Sequence, residues 1–468
     1  MRILFITPPN FRFRGVRFGN LPFGPAYLCS VLRARYDVYN YYAELMSTEE
    51  INRHSDTFRE YSPLLDSHGL YLAALAARSH PVWREIQSVL ENLSPDVVGL
   101  STMTCSYPSA LVIAEMVKKV TNAKLIVGGV HATTLPDEVA SNQYVDFVVR
   151  GEAEVSLAQL LEHIEKGTEP CDVAGITYRK GGRTVSTPDA CLIENLSTLP
   201  LPDIETVVFP GRYSSTSFST ILAGRGCPAR CHFCANHVLW RKRHRMRSID
   251  SIYEEVLWKV KRYGKTIDFG DDNLMVSRKV FLELCERMHK EIPDILWRCQ
   301  SRVDTVTAEK VRASKEAGCW DIKLGIESGS DRILKYLNKR QTVDQTLRCC
   351  EMIMNNGVQV SVNFMFGFPE ETWDDMQLTL QMIREICASS IAVSKFIPLP
   401  GTKLFDDVVE LGIFGDRAVR YEHLDLFSTY YHYPRYVSRE RFQEFYWEIH
   451  RVVDEKNRRT RTGPPKLG

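Results

Sequence analysis

The chain has 468 residues, more than one hydrophobic core usually holds, so we expect two domains and a smaller third unit. Its 59 lysines and arginines nearly balance 58 aspartates and glutamates, which argues against a nucleic-acid partner or an anionic membrane surface. The apolar run before Pro8 is too short for a signal peptide, and no stretch approaches about 18 uninterrupted apolar residues. We therefore expect no membrane span and a cytoplasmic location.

The region 1–168 alternates apolar β-branched runs with helical patterns, which is typical of a parallel sheet covered by helices on both faces. This pattern predicts an α/β fold that begins with a Rossmann-like, doubly wound domain, whose ligand would lie beyond the carboxyl ends of its strands. The predicted strands are 2–8, 37–42, 96–103, 124–130 and 147–151, and the predicted helices are 24–35, 81–92, 108–120 and 155–165.

A change of pattern at 169–202 predicts a hairpin and a linker. The hairpin strands are 175–180 and 183–187, and the turn is Gly181-Gly182. Leu199-Pro200-Leu201-Pro202 reads as an extended linker, so a second domain is predicted to begin near residue 203.

The region 203–410 repeats a strand and a helix about six times. The predicted strands are 217–223, 266–270, 296–301, 321–327, 359–367 and 392–398. Six units cannot close an eight-stranded barrel, so we predict an open, TIM-like (β/α)6 partial barrel. The segment 411–468 is rich in aromatic residues, and we expect it to be helical and to pack across the open edge. From residue 458 onward we expect a disordered tail.

The most informative motif is a cysteine cluster just after the first barrel strand. Cys227, Cys231 and Cys234 lie in a short loop flanked by glycine, so three thiolates can converge on one metal centre. A [4Fe-4S] cluster with three protein ligands has one iron free to bind an external group. The alternative is zinc, with His232 or His237 as the fourth ligand, although structural zinc sites favour two separated pairs of cysteines.

The Cys-x3-Cys-x2-Cys spacing, with Phe233 before the last cysteine, resembles the radical S-adenosylmethionine superfamily. The resemblance implies that the free iron binds the amino and carboxylate groups of S-adenosylmethionine. One-electron reduction then breaks the cofactor into methionine and a 5′-deoxyadenosyl radical that attacks a small-molecule substrate. An electron donor such as flavodoxin or ferredoxin is also implied.

Five strand ends match further motifs of that family in the expected order, the last of them Pro398-Leu399-Pro400-Gly401-Thr402 after strand six. The resemblance places Gly270, Asp271 and Asp272 at the methionine amino group, where a carboxylate suits an ammonium. It places two pairs near the ribose and carboxylate, and a third beside the adenine. These pairs are Ser301 with Arg302, Glu327 with Ser328, and Gly367 with Glu370. Taken one at a time, such acids and glycines are equally typical of caps and turns.

The amino-terminal domain resembles the cobalamin-binding domain found in one branch of the superfamily, which implies Ser101, Gly128 and Gly129 as cofactor-binding residues. The classical Asp-x-His-x-x-Gly motif is missing, because the first loop contains Asn10 followed by three arginines and no histidine. These arginines are Arg12, Arg14 and Arg17. His131 lies at the same predicted sheet edge, and we interpret it as an orienting residue rather than a cobalt ligand.

Three functions remain open at this point. The first is a cobalamin-dependent methyltransferase that acts on an unactivated carbon of a natural product or lipid. The second is a cobalamin-independent radical dehydratase or rearrangement enzyme with a vestigial cobalamin domain, for instance one that dehydrates sugar diols in aminoglycoside biosynthesis. The third is a binding protein with a structural cluster. The basic run 241–247 is either a loop that counters nearby acids or a site for an anionic substrate or an acidic electron donor.

Overall fold

A computed structural model describes residues 1–16, 19–53, 64–415 and 418–460. Within these ranges the chain forms two large α/β units, each with its own sheet, and the fold class predicted above is confirmed. Arg17, which we singled out in the first loop, lies outside the described residues.

The amino-terminal sheet contains the five predicted strands, all parallel, in the spatial order β2-β1-β3-β4-β5. This is a doubly wound order with its topological switch at β1 and β3. The strands are β1 (Arg2–Thr7), β2 (Asp37–Tyr42), β3 (Val97–Ser101), β4 (Lys124–Gly128) and β5 (Phe147–Val149). The helices are α1 (Phe23–Leu32), α2 (Thr48–Arg53), α3 (His68–Ala76), α4 (Pro81–Leu93), α5 (Tyr107–Val120), α6 (Val130–Thr134), α7 (Pro136–Ser141) and α8 (Glu154–Lys166).

The predicted hairpin forms, but it belongs to the first sheet. Its strands are β6 (Ile176–Lys180) and β7 (Arg183–Ser186), and β6 pairs antiparallel with β5. Tyr178 packs on Phe147 with ring centroids 6.1 Å apart, which buries the aromatic face of the added strand. The sheet therefore continues to seven strands, past the boundary that we predicted at residue 168.

The second unit is a parallel six-stranded sheet whose strands follow one another in sequence order, as an open partial barrel requires. Its strands are β8 (Thr220–Ile221), β11 (Thr266–Phe269), β12 (Leu296–Ser301), β13 (Cys319–Glu327), β14 (Gln359–Phe366) and β15 (Ser390–Lys395). A separate antiparallel ribbon pairs β9 (Gly224–Arg225) with β10 (Arg245–Met246). The first strand is shorter than predicted, because 215–218 form a 3-10 turn.

Helices cover the outer face of the barrel, where alternate strand residues form the core. In β14 these are Val360, Val362, Phe364 and Phe366, all fully or almost fully buried. The helices are α9 (Asn236–Trp240), α10 (Ile249–Tyr263), α11 (Arg278–Glu291), α12 (Ala308–Glu316), α13 (Asp331–Tyr336), α14 (Val343–Asn355), α15 (Trp373–Glu385), α16 (Lys403–Glu410) and α17 (Arg439–Thr460).

The open edge at β15 is covered by α17, as the aromatic content predicted. Phe442 and Phe445 pack on Phe366, with ring centroids 5.8 and 5.5 Å away. The Asn457 side chain exchanges two 2.8 Å hydrogen bonds with the backbone of Ile391, so it satisfies the edge strand as another strand would. Residues 458–460 are helical rather than disordered, and the rest of the predicted tail, 461–468, lies outside the described residues.

Candidate functional site

The carboxyl ends of the two sheets face a shared cavity of about 350 Å³. The first sheet contributes residues that follow β3, β4 and β5, together with the start of α1. The barrel contributes the segment 222–226, two residues of α9 and the turn Gly270-Asp271-Asp272 after β11. Each sheet therefore offers its ligand-binding edge to the same space.

The cysteine loop is held by the β9–β10 ribbon. Gly226, directly before Cys227, has φ +89°, and a Cβ atom there would lie 2.1 Å from the Arg243 carbonyl oxygen. Only glycine fits this close approach, so the sequence around the first cysteine fixes the path of the loop.

The three cysteines lie in the loop between β9 and α9. Cys231 is buried, whereas Cys227 and Cys234 are half-buried, and burial raises the pKa of the Cys234 thiol to about 12. The Cys227 amide donates to Asn236 Oδ1 at 3.1 Å. Among the described residues no group of three or more His, Cys, Asp or Glu side chains is placed to hold a single metal ion. A four-iron cube binds each cysteine through a different iron, so its ligands need not converge.

Two adjacent aspartates after β11 have different roles. Asp271 is buried and accepts the amides of Ala223 (3.0 Å) and Gly224 (2.7 Å), and burial raises its pKa to about 7. It holds the backbone that leads into the cysteine loop and also lines the cavity, so its ligand role stays a prediction. Asp272 is exposed at the cavity and accepts a hydrogen bond from Asn236 Nδ2. Asp272 is therefore the carboxylate available to a cationic ligand.

The β12 motif also divides into one structural residue and one site residue. Arg302 reaches the cluster loop, where its Nη1 donates to Cys231 Sγ at 3.3 Å and its Nη2 donates to the Lys339 carbonyl at 2.6 Å. Ser301 is buried and donates to Asn273 Oδ1 at 3.0 Å, away from the loop. The predicted cofactor contact of Ser301 is not supported.

Glu327, at the end of β13, is buried and pairs with Lys339 Nζ at 2.6 Å, and that ammonium lies 5.8 Å from the Phe233 ring centroid. Glu327 has φ +73° at a bulge in the pairing with β14. A non-glycine residue in the left-handed region is strained, and such strain clusters at functional sites. Ser328 is fully buried, and its Oγ lies 3.2 Å from Thr379 Oγ1, so its contact with the cofactor stays a prediction.

After β14, the predicted acid is displaced by one residue. Glu370 points away from the strand end and pairs with Arg435 at 2.7 Å. Glu371 is instead fully buried and accepts the amides of Gly367 (2.5 Å) and Phe368 (3.1 Å). Burial raises its pKa to about 8. Glu371 therefore shapes the turn that we had predicted to lie beside the adenine, and only its adjacency to Glu370 could have suggested it.

On the other side of the cavity, Ser101, Gly128 and Gly129 all line the wall, and their contact with a cofactor stays a prediction. A Cβ on Gly129 would lie 2.5 Å from the Thr102 carbonyl oxygen, so protein packing alone explains this glycine. Gly24 and Gly151 also line the cavity, and a Cβ on either would meet no atom within 4 Å. The space beside these two glycines is open to a ligand.

Arg12 and Arg14 of the first loop do not line this cavity. Arg14 is buried and forms two 2.7 Å hydrogen bonds to Asp425, which ties the loop to the carboxyl-terminal segment. Arg12 pairs with Glu50 and Glu85, both at 2.8 Å. His131 is fully buried with its ring 4.0 Å from that of Tyr107, and burial lowers its pKa to about 4. Its position supports our interpretation that it is not a cobalt ligand.

The basic run 241–247 is paired within the chain. Arg243 binds Glu194 through two hydrogen bonds, Arg245 binds Glu152 at 2.8 Å, and Arg247 binds the buried Glu255. Because these arginines already have acidic partners, the alternative of an anionic-substrate or donor site there loses its support.

Comparison with known proteins agrees with this geometry. The sequence pattern of the radical SAM superfamily matches residues 221–383, and that of the B12 binding domain matches residues 64–161. The chain therefore contains a domain of the radical SAM superfamily. It is an enzyme with a B12-binding-type domain ahead of the radical domain.

Three similar proteins illustrate the range of its relatives. An uncharacterized methyltransferase of Pyrococcus horikoshii is 28% identical over 351 residues, which is 72% of this chain and 76% of the relative. The anaerobic magnesium-protoporphyrin IX monomethyl ester cyclase of Rubrivivax gelatinosus is 27% identical over 337 residues, 69% of this chain and 60% of the cyclase. The structure of the radical S-adenosylmethionine methyltransferase TsrM from Kitasatospora setae, with cobalamin and a [4Fe-4S] cluster bound, has a TM-score of 0.71 and 16% identity, with 100% of this chain and 91% of TsrM covered.

None of the helices in the described parts of the chain is long and apolar enough to cross a membrane.

Proposed function

We propose that this enzyme is a cobalamin-dependent radical methyltransferase that acts on an unactivated carbon of a small molecule, a natural product or a lipid. The observation that carries the proposal is the shared cavity, because it joins the glycine-lined edge of the first sheet to Asp272 and to the residues 224–226 that lead directly into Cys227. A methyl carrier and a radical source must both reach one substrate, and a shared space between two ligand-binding edges meets that need.

The donor set of the barrel fits an iron-sulfur cluster and S-adenosylmethionine. Cys227, Cys231 and Cys234 would hold the [4Fe-4S] cluster, and Asp272 would bind the methionine ammonium through a charge-assisted hydrogen bond. The cluster supplies one-electron chemistry when it is bound, and cobalamin supplies a carrier for a methyl group. Arg302 and the Glu327–Lys339 pair orient the loop and the ligand around it.

The cavity wall of the first domain fits a large planar ligand. Gly24, Gly128 and Gly151 leave space where side chains would otherwise stand, and the remaining wall is mainly apolar. No histidine is among the described residues that line the cavity, so we propose that cobalamin is held without a histidine ligand from this wall.

The radical dehydratase or rearrangement alternative requires a vestigial first domain. Two findings weigh against it, namely the match to the B12 binding domain and the open, glycine-lined space. The similarity to a cyclase shows that relatives at this level of identity are not all methyltransferases. The experiment below is therefore designed to separate the two functions.

The test is anaerobic reconstitution with iron, sulfide and hydroxocobalamin, followed by gel filtration and incubation with S-adenosylmethionine and dithionite. We expect one corrinoid and about four irons per chain, and release of 5′-deoxyadenosine. Release of 5′-deoxyadenosine by a protein that retains no corrinoid would reject the methyltransferase in favour of the alternative. A protein that binds iron but releases no 5′-deoxyadenosine would reject both.

In the cell an electron donor must replace dithionite, and we propose a flavodoxin or ferredoxin for that role. We propose that this donor docks elsewhere than at 241–247, because Arg243, Arg245 and Arg247 already have acidic partners.

A further inference from the structure

Two glutamates of the first domain meet two arginines of the cysteine ribbon at the cavity wall. Arg225 Nη1 donates to Glu152 Oε1 at 2.7 Å, and its Nη2 donates to Glu154 Oε1 at 2.5 Å. Arg245 forms two further hydrogen bonds to Glu152, at 2.8 and 3.0 Å. Glu152 and Glu154 stand at the start of α8, whereas Arg225 and Arg245 belong to the paired strands β9 and β10.

These four side chains are withdrawn from solvent and mutually neutralised. Their side-chain exposure is 1% for Glu152, 7% for Glu154, 10% for Arg225 and 4% for Arg245. The Ile193 amide also donates to Glu152 Oε2 at 2.7 Å, so both oxygens of this carboxylate are occupied. The arginines hold the pKa of Glu152 below its ordinary value, which keeps the network charged. Two positive and two negative groups with fixed partners define one geometry rather than a diffuse attraction.

The network lies between the two places where the chemistry is expected. Arg225 is two residues before Cys227, and its guanidinium lies 5.2 Å from the Tyr27 ring centroid and 5.6 Å from that of Trp240. Tyr27, Trp240, Glu152, Glu154 and Arg225 all line the cavity. A displacement of the Arg225 guanidinium group therefore moves the cavity wall and the cluster loop together.

We propose that Arg225 is a positioning residue that fixes the cluster loop relative to the cobalamin cavity, with Glu152 and Glu154 as its anchors in the first domain. The consequence that we expect, a fixed distance between the cluster and the cobalt, rests on the proposed function. The planar guanidinium is essential, because its two Nη groups bridge two carboxylates, whereas a lysine ammonium offers one point charge.

The test variant is Arg225→Lys, which keeps the charge and removes the fork. The matched control is Arg243→Lys on the same loop, because Arg243 also binds a carboxylate through both Nη groups, but its partner Glu194 is exposed and neither residue lines the cavity. Hydrogen–deuterium exchange on the full chain without cofactors gives the first measurement. We expect exchange in 223–227 and 151–155 to rise about tenfold or more in Arg225→Lys and to stay at the wild-type rate in the control.

The second measurement is the distance between the reduced cluster and cob(II)alamin in the loaded enzyme, by pulsed electron paramagnetic resonance. We expect one narrow distance in the wild type and in Arg243→Lys, and a broad distribution in Arg225→Lys at an unchanged melting temperature. A merely structural ion pair would lower the melting temperature without broadening the distance.

Exchange rates in Arg225→Lys equal to those of the control, or an unchanged narrow distance, would overturn the inference. A wild-type protein that retains no cobalamin would instead reject the proposed function, and the exchange measurement would still decide whether Arg225 holds the loop to the cavity wall.

Discussion

The two walls of the shared cavity are built in opposite ways. On the first-domain side, Gly24 and Gly151 provide room by having no side chain, and the wall around them is mainly apolar. On the barrel side, the charged side chains of Arg225 and Asp272 line the cavity, and each is fixed by a partner, Glu152 for Arg225 and Asn236 for Asp272.

This difference reflects what each wall has to bind. A large planar ligand gains affinity from shape and apolar contact, so the wall needs space and few polar groups. A small zwitterion beside a metal cluster is recognised by a few charges at defined distances, and these must be held before the ligand arrives. Substitutions should therefore weaken ligand binding by removing a charge on the barrel side and by filling space on the first-domain side.

The largest effect is expected from Cys231→Ala, which removes one of three predicted protein ligands of the cluster. Iron content should fall severely, and formation of 5′-deoxyadenosine should drop below detection, because Cys227 and Cys234 are already assigned as ligands and the loop has no fourth thiol. Cys171→Ala is the control, since Cys171 is exposed and distant in sequence. Retention of wild-type activity by Cys231→Ala would refute the cluster assignment.

Asp272→Asn tests the barrel wall without touching the cluster ligands. Loss of the carboxylate charge should weaken binding of S-adenosylmethionine about 10- to 100-fold, the range expected for a hydrogen bond to a charged group. Equilibrium binding to the reconstituted protein measures this, with Asp250→Asn as the control, because Asp250 forms only an exposed pair with Arg287. Unchanged affinity would mean that Asp272 serves only to hold Asn236.

Gly24→Leu tests the opposite wall by filling space. The added side chain should lower the affinity for hydroxocobalamin about tenfold or more, because Gly24 lines the cavity and a Cβ there meets no protein atom. Gly69→Leu is a matched control, since Gly69 is also an exposed helical glycine with open space, but it lies away from the cavity. Leucine favours a helix over glycine by somewhat less than about 1 kcal/mol, so neither change should unfold the protein. Equal cobalamin binding by both variants would show that the ligand lies elsewhere.

The opposite construction of the two walls also explains what the sequence could predict. Both parallel sheets, the hairpin and the aromatic cover of β15 followed from periodicity and composition, because long apolar strands and amphipathic helices are local patterns. The pairing of β6 with β5 could not be predicted in this way. A connection of 26 residues separates Val149 from Ile176, and strand pairing over that distance depends on tertiary contacts.

At the site, residue type was easier to predict than residue role. Asp271, Asp272, Glu370 and Glu371 are two pairs of adjacent acids, and nothing in the chain tells which member faces a ligand. In each pair the structure buries one carboxylate against two backbone amides and leaves the other partly exposed. Which of the two carboxylates is buried depends on the direction in which the backbone turns after the strand. Backbone geometry sets that direction, and composition does not reveal it.

The last prediction concerns the stability of the turn after β14 rather than ligand binding, and it follows from the sign of the pKa shift of its buried carboxylate. Burial raises the pKa of Glu371 from 4.5 to about 8, so the folded protein keeps this proton where the unfolded chain has lost it. The contribution to stability is therefore fully present below pH 4.5, declines as the pH rises toward 8 by at most about 1.4 kcal/mol per pH unit, and levels off above. Glu371→Gln keeps a carbonyl oxygen for the Gly367 and Phe368 amides but cannot ionise. Melting temperatures of the cofactor-free chain between pH 5 and 9 should fall less steeply for Glu371→Gln than for the wild type. Parallel curves would mean that Glu371 is already ionised in the folded protein, so that the turn after β14 holds a buried negative charge.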